Sequence, residues 1–445
     1  MLKSSQRVSR LQAAFLGGAI ASTAALSVFS PIGCRLVRAQ LQDSPKVVVD
    51  EVWQTVDHEY VDGTFNHTNW QATRQSLLSQ NYTSREQAYD AIRTALKQLG
   101  DPYTRFLDPK QYQALNEQSI VGQLSGIGIQ MAQNPKTKQL TVVETVPNTP
   151  ALKAGVKAGD QIVTIDGKPT QGMSVEDASK LIRGKAGTSV VLGITRQGQS
   201  HLDVKITRAN IEVPKVNYTL KQENSKRVGY IRLDEFSAAA PAQMHRAIQD
   251  LKAKQVDGFV LDLRGNPGGL LVSSVEIARM WFDNGGIVRT KNRLGSSEEL
   301  KANQTALTKK PLVVLVDGNS ASASEILTGA LKDNKRAVVV GSTTFGKGLV
   351  QELHQLSDGS GLAVTIEHYF TPNGTDIHHK GIQPDVKIDL TQAQQQQLST
   401  NPALIGTHSD PQYERAIAVL TTKNFAQYPR NQQSLRSSPR KGVRS

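Results

Sequence analysis

What limits this chain most is a set of short runs that stay apolar whichever way their side chains point. GFVLDL (Gly258–Leu263), PLVVLVD (Pro311–Asp317) and AVVVG (Ala337–Gly341) are such runs, and VGYIRLDEF (Val228–Phe236) precedes them. A strand that is apolar on both faces has to be covered on both. Helix-length segments separate the runs, from about Ala240 to Lys254, from about Val272 to Phe282, and from near Ser324. Strands alternating with helices in this way argue for an α/β core from about Glu212 to Leu390. Within it, ELHQL (Glu352–Leu356) and GLAVTIEHY (Gly361–Tyr369) read as a hairpin across Ser357-Asp358-Gly359.

Two side chains of that core form a candidate catalytic pair. Ser322 stands where PLVVLVD gives way to a helix, and Lys347 lies 25 residues on, in the glycine-flanked turn FGKG. A serine hydroxyl needs a base to become a nucleophile, and a neutral lysine amine can be that base. Burial favours the neutral amine, and Phe345, Leu349 and Val350 are the expected apolar wall. Ser322 also has a structural reading, because Ser322-Ala-Ser-Glu325 fits the S-x-x-E capping box. The two roles are compatible: a helix start offers N–H donors and the positive dipole end to a developing oxyanion.

Three further groups accompany the pair. Asp262 lies inside an apolar strand with Arg264 two residues on, which reads first as a structural ion pair. Gly265-Asn-Pro-Gly-Gly269 lacks the spacing of a phosphate loop. Its Gly268 or Gly269 can instead aim an N–H at an oxyanion, beside the N–H of Ala323. Gln351, four residues after Lys347, offers a neutral amide that orients the amine without adding a charge to hold its proton.

Ahead of this core the chain changes character twice. From about Pro45 to Glu117 the pattern is helical: Val48, Val52, Val56 and Tyr60 share one face, and a helix with Ala88, Ile92, Ala95, Leu96 and Leu99 inward ends at Gly100. We expect a helical platform or dimer arm over 45–117, with the polar-aromatic Asp101–Leu107 packed against another part of the protein. From about Ile120 to Asn210 short strands and turns follow: GIGIQMAQ, QLTVVETV, DQIVTIDG, the short helix VEDASKLIRG, then TSVVLGITR and HLDVKITR pairing across Gln197-Gly198.

This succession resembles a PDZ domain over 118–210. The resemblance rests on the GIGI loop, on TPALKAGVKAGDQIVTIDG (Thr149–Gly167) and on the LIRG helix end. It implies that Gly126, Ile127, Gly128 and Ile129 receive a peptide C-terminus, with backbone N–H groups on the carboxylate and the next strand edge on the peptide. Arg183 either caps its helix or reaches the catalytic core and gates it.

Charge excludes one class of partner. The net charge is +13, but residues 1–40 carry five basic side chains and no acid, and so do residues 430–445. About +3 is left for the body, which is no nucleic-acid footprint. Basic residues to Arg10, an apolar run from Ala13 to Phe29 and Pro31 read as a signal peptide or membrane anchor over 1–39, with Ala39-Gln40 the expected cleavage point. Membrane association through that segment is the alternative to a soluble product. Cys34, the only cysteine, falls inside it, so the mature body has no thiol chemistry. The Gln-rich stretch after Leu390 and the basic end form an expected tail over 396–445, with a modest helix from Gln412 to Leu420.

DLRGNPGG (Asp262–Gly269), SASASEI (Ser320–Ile326), DNKRA (Asp333–Ala337), GSTTFGKGLVQ (Gly341–Gln351) and TPNGTDIHHKGIQPD (Thr371–Asp385) occur in order. Together they strongly resemble the carboxyl-terminal processing proteases, the tail-specific proteases of family S41, over roughly Val47 to Leu390. The resemblance implies a multidomain α/β and α+β protein: a helical N-terminal region, a PDZ domain, and over 211–395 an α/β Ser-Lys protease core of the ClpP/crotonase-like kind. It implies an exported endopeptidase cutting near substrate C-termini, in a periplasm or a thylakoid lumen, where members of this kind mature the photosystem II reaction-centre precursor.

Carried to this chain, Ser322 is the nucleophile, Lys347 the base and Gln351 its orienter. Ala323 with Gly268 or Gly269 forms the oxyanion site, and Asp262, Arg264 and Glu325 support it. No cofactor or metal is expected; His378 and His379, adjacent on a strand, would point apart. The competing class is a PDZ-based scaffold or chaperone with an inactive core.

Overall fold

The computed structural model describes residues 44–116, 123–135, 137–196 and 201–422. The expected signal segment and its Cys34, the Gln197-Gly198 turn and the basic C-terminal end lie outside the described residues.

The N-terminal region opens with three helices, α1 (Pro45–Glu59), α2 (Trp70–Ser79) and α3 (Arg85–Lys97). Each begins at a side-chain cap, Ser44, Asn69 and Ser84, which satisfies an N–H that has no partner inside the helix. Their apolar faces bury Val52, Trp53, Val56, Trp70, Ile92 and Leu96 in one cluster. That cluster also takes Leu362 and Val364 from the protease core. The region then adds a strand the sequence did not announce, β1 (Arg105–Leu107).

The next unit is an antiparallel sheet of β2 (Ile129–Gln133), β3 (Leu140–Thr145), β4 (Gln161–Ile165), β5 (Ser189–Thr195) and β6 (Leu202–Thr207). Its strand order is β2-β3-β4-β5-β6, so β2 is an edge. Beside β2 lies α4 (Val175–Ile182). Gln123–Gly126 pairs with Ala209–Glu212 at the base, bringing the two ends of the unit together.

The protease core begins with β7 (Val216–Glu223) and β8 (Lys226–Leu233), then α5 (Ala240–Ala253), β9 (Gly258–Asp262), α6 (Leu271–Arg279) and β10 (Gly286–Asn292). It continues with β11 (Leu312–Val316), α7 (Ala323–Asp333), β12 (Val338–Gly341), β13 (Leu349–Gln355), β14 (Gly361–Phe370), β15 (Val386–Lys387) and α8 (Pro411–Leu420). Six strands run in the order β7-β8-β9-β11-β12-β15. From β8 onward every neighbouring pair is parallel. β9, β11 and β12 are buried at every position, as their unbroken apolar runs require.

One face of this sheet packs on α5, α6 and α7 through Phe259, Leu261, Val314 and Leu327. The other packs on α8 through Val260, Val313, Tyr413 and Ile417. The core therefore runs past the expected boundary at 395. The sequence places α8 as a modest helix in the tail, yet its Tyr413, Ala416, Ile417 and Leu420 are buried and cover that face of the sheet.

A second, antiparallel sheet stands beside the first. β14 is its spine, pairing with β13 on one edge and with both β1 and β10 on the other. The β13–β14 hairpin crosses the expected Ser357–Gly359 turn, but β13 starts at Leu349. Gln351 is thus a strand residue.

Candidate active site

Ser322 sits just before α7 with φ 56° and ψ −114°, a conformation that costs an L-residue free energy unless its surroundings fix it. They do. Its N–H donates to Glu325 Oε2 at 2.9 Å, and its carbonyl accepts from Glu325 N at 2.8 Å, Ile326 N at 2.9 Å and the Tyr369 hydroxyl at 3.1 Å. Its hydroxyl is left at the positive end of α7, where the N–H groups of Ser324, Glu325 and Ile326 already have acceptors and that of Ala323 has none among the described residues.

The glycine loop is tied to this elbow. Asn266 O accepts Ala321 N and Ser324 Oγ, both at 3.0 Å. Gly268 has φ +105°, and a Cβ there would lie 2.7 Å from Ala321 O and 2.9 Å from Ser322 Cβ. Only glycine fits. The N–H of Gly268 is committed to Asn266 Oδ1 at 2.8 Å. The N–H groups of Gly269 and Ala323 have no partner among the described residues, and both residues line the cleft. Of the two candidate glycines, Gly269 is the one with a donor to offer.

Lys347 reaches the same cleft, a cavity of about 420 Å³ also lined by Ser322 and Gln351. Burial lowers its pKa from the ordinary lysine value, the positive charge of Arg105 lowers it further, and Asp101 and Glu325 oppose the shift. The apolar wall is not the expected one: Leu349 and Val350 line the cleft, but Phe345 is 55% exposed and does not. Tyr103, from the N-terminal region, takes that place, with Lys347 Nζ 4.6 Å from its ring centre. Ser322 Oγ and Lys347 Nζ share the cleft without a hydrogen bond between them.

Gln351 lies next to a β-bulge at Val350/Gln351, the kind of irregularity that re-aims a side chain. Its Nε2 donates to Thr365 Oγ1 on β14 at 3.3 Å. Sequence reasoning missed Tyr103, Arg105, Thr365 and Tyr369. The only available signal was the polar-aromatic run after Gly100, whose place at the cleft depends on β1 pairing with β14.

The remaining candidates divide. Glu325 is fully buried and joins the serine elbow to the lysine turn, accepting from Ser322 N, Lys347 N, Gly346 N and Thr344 Oγ1. Asp262 and Arg264 are outside the cleft. Arg264 forks onto both oxygens of Asp262 (2.9 and 2.6 Å) and onto Asp410 (2.9 and 2.7 Å). The ion-pair reading of those two residues fits this geometry, with Asp410 as an unforeseen third member.

In the PDZ unit, the N–H groups of Ile127 and Gly128, between Gly126 and Ile129, have no partner among the described residues, and they lie next to the edge strand β2. Arg183 follows α4 but is exposed and outside the cleft. Arg183 is the C-cap residue of α4, its backbone N–H donating to Ser179 O at 2.9 Å, while the guanidinium of Arg208 takes the last carbonyls, Ile182 O at 2.7 Å and Leu181 O at 3.0 Å.

Two groups of metal-ligand type occur among the described residues. His378 and His379 do not point apart: they occupy a turn, with His379 at φ 58° and the ring centres 3.9 Å apart. Glu59, Glu352 and His354 bring three ligand atoms within 4.8 Å of one another, but His354 already pairs with Glu59 at 2.8 Å.

Comparison with known proteins identifies the family. The pattern of Peptidase family S41 matches residues 227–388, and that of a PDZ domain residues 141–196. The chain is 43% identical over 395 residues to a carboxyl-terminal-processing protease of Picosynechococcus sp., covering 88% of this chain and 92% of the relative. It is 38% identical to a chloroplastic C-terminal processing peptidase of Tetradesmus obliquus, covering 79% of each. Among solved structures, a photosystem II D1 C-terminal processing protease superposes with a TM-score of 0.52 at 36% identity, over 86% of this chain and 98% of the other. The chain belongs to the carboxyl-terminal processing proteases of peptidase family S41.

Proposed function

We propose that this protease works through a Ser322–Lys347 dyad oriented by Gln351. Ser322 Oγ attacks the scissile carbonyl while neutral Lys347 takes its proton. The N–H groups of Ala323 and Gly269 hold the oxyanion, and water then hydrolyses the acyl-enzyme. The observation that carries this reading is the convergence of Ser322, Lys347 and Gln351 on one cleft, beside a helix start with two uncommitted N–H donors.

The substrate enters by its C-terminus. A carboxylate fits the free N–H groups of Ile127 and Gly128, and an extended peptide adds to the edge of β2 against α4. Export places the enzyme in a periplasm or a thylakoid lumen. Processing of a photosystem II D1 precursor is the substrate reading favoured by the structural relative named for that reaction. Arg183 as a gating residue requires the PDZ unit to move, because its exposed side chain is outside the cleft.

The test incubates the protein and a Ser322→Ala twin with an unstructured protein ending in apolar residues, and reads the products by mass spectrometry. Cleavage only by the unaltered enzyme supports the dyad. Cleavage by both overturns it.

A further inference from the structure

The cleft contains a hydrogen-bond chain that begins outside the protease core. Asp101, just after α3, is its origin. Asp101 Oδ2 accepts the Thr365 hydroxyl at 2.6 Å and the Thr104 hydroxyl at 2.7 Å, and Oδ1 accepts Tyr103 N at 2.8 Å. Thr104 Oγ1 in turn accepts Thr365 N at 3.0 Å. Thr365 and Thr104 are both buried.

A carboxylate can only accept, which fixes the direction of every bond downstream. Thr365 has one hydroxyl proton, and Asp101 takes it. Thr365 Oγ1 can then only accept from Gln351, so the amide must turn its NH₂ to Thr365, as it does at 3.3 Å. The carbonyl oxygen of Gln351 is left as the free end in the cleft it shares with Lys347. A neutral amine that donates one N–H to that oxygen keeps its lone pair for the Ser322 proton. The second arm from Asp101 holds Tyr103, whose ring lies 4.6 Å from Lys347 Nζ.

We infer that Asp101 and Thr365 are positioning residues for the base: Asp101, acting through Thr365, sets which end of the Gln351 amide faces Lys347, and through Tyr103 it sets where the amine rests. The N-terminal region is then a working part of the active site. This inference rests on the dyad reading above.

The charged groups that face Lys347 are Arg105 from β1, Asp101 from the preceding turn and Glu325 from α7. His378 stands behind the turn, its Nδ1 accepting Gly348 N at 3.3 Å. Of these, Arg105 favours the neutral amine, and Asp101 and Glu325 favour the charged one.

The test uses the full chain and the same unstructured substrate. Thr365→Val keeps shape and charge but removes the relay. It should lower kcat by about tenfold or more with KM within about twofold, because orientation is lost and binding is not. Thr365→Ser, which restores the hydroxyl, should recover to within about threefold. In a Gln351→Ala background Thr365→Val should cost nothing further, since the two act in one chain.

Asp101→Asn should move the acid limb of kcat/KM to lower pH, a shift that general loosening does not produce. It carries the test if Thr365→Val does not fold. Activity of Thr365→Val within twofold of the unaltered enzyme, or a full penalty in the Gln351→Ala background, overturns the inference. Ser322→Ala separates the two claims: if it still cleaves, the dyad reading has failed; if it is inactive while Thr365→Val is normal, only the relay has failed.

Discussion

Ser322 and Lys347 are joined through a single oxygen atom: Glu325 Oε2 accepts the backbone N–H of both, each at 2.9 Å. Oε1 of the same carboxylate holds Thr344 Oγ1 at 2.6 Å and Gly346 N at 2.7 Å. The nucleophile elbow and the base turn are therefore positioned by one buried group that touches neither reacting atom.

Glu325→Gln tests this. An amide cannot accept at both ends, so its NH₂ would face either the N–H groups of Ser322 and Lys347 or, turned over, the N–H of Gly346 beside the Thr344 hydroxyl, and at least one buried backbone donor loses its acceptor. Each donor left unsatisfied costs about 1–3 kcal/mol. The expected result is a lowered melting temperature and a kcat reduced by about 10²-fold or more, because both turns shift. Calorimetry and steady-state kinetics check it, and unchanged values for both would remove Glu325 from the site.

Arg105→Gln should move the pH dependence the other way from Asp101→Asn. Burial sets the lowered pKa of Lys347, and Arg105 adds to it. With that charge gone the pKa rises, less amine is neutral at a given pH, and the acid limb of kcat/KM moves to higher pH. The alkaline plateau should be retained. A pH–rate profile with no shift would mean Lys347 does not titrate as the base.

Gly268→Ala should impair activity out of proportion to binding. The added Cβ meets Ala321 O and Ser322 Cβ, and φ +105° is strained for alanine by about 1–3 kcal/mol. The elbow gives way first, so kcat falls while peptide binding to the PDZ unit, followed by fluorescence anisotropy, is retained.

Asp410→Ala should destabilise the fold from outside the cleft. It removes one of the two buried carboxylates that neutralise Arg264, and breaking a buried pair costs about 3–5 kcal/mol. Asp262 is fully buried, but the Arg264 charge and its hydrogen bonds hold the pKa below the usual carboxylate value. Its contribution is therefore present above the unfolded pKa and lost as pH falls through the folded one. Denaturant melts at neutral and acid pH check both points, and a midpoint unchanged by Asp410→Ala would contradict the first.

Much of this was legible in order along the chain. Unbroken apolar runs such as PLVVLVD determine strands buried on both faces, since no arrangement with one wet face would satisfy them. Ser322, Lys347, Gln351, Ala323 and the glycine pair lie in short segments whose local geometry their own residues specify. Glycine at 268 and the S-x-x-E pattern at 322–325 are visible before any fold is known.

What only the tertiary structure decided lies where distant segments meet. Asp101 reaches Gln351 because β1 pairs with β14, across a separation of 264 residues between Asp101 and Thr365. Asp410 meets Arg264 across 146 residues because α8 covers a sheet face. Gly269 rather than Gly268 keeps a free N–H because Asn266 claims the other. Such choices are made by packing and by which donors find acceptors, and hydrogen-bond partners far apart in sequence leave no periodicity to read.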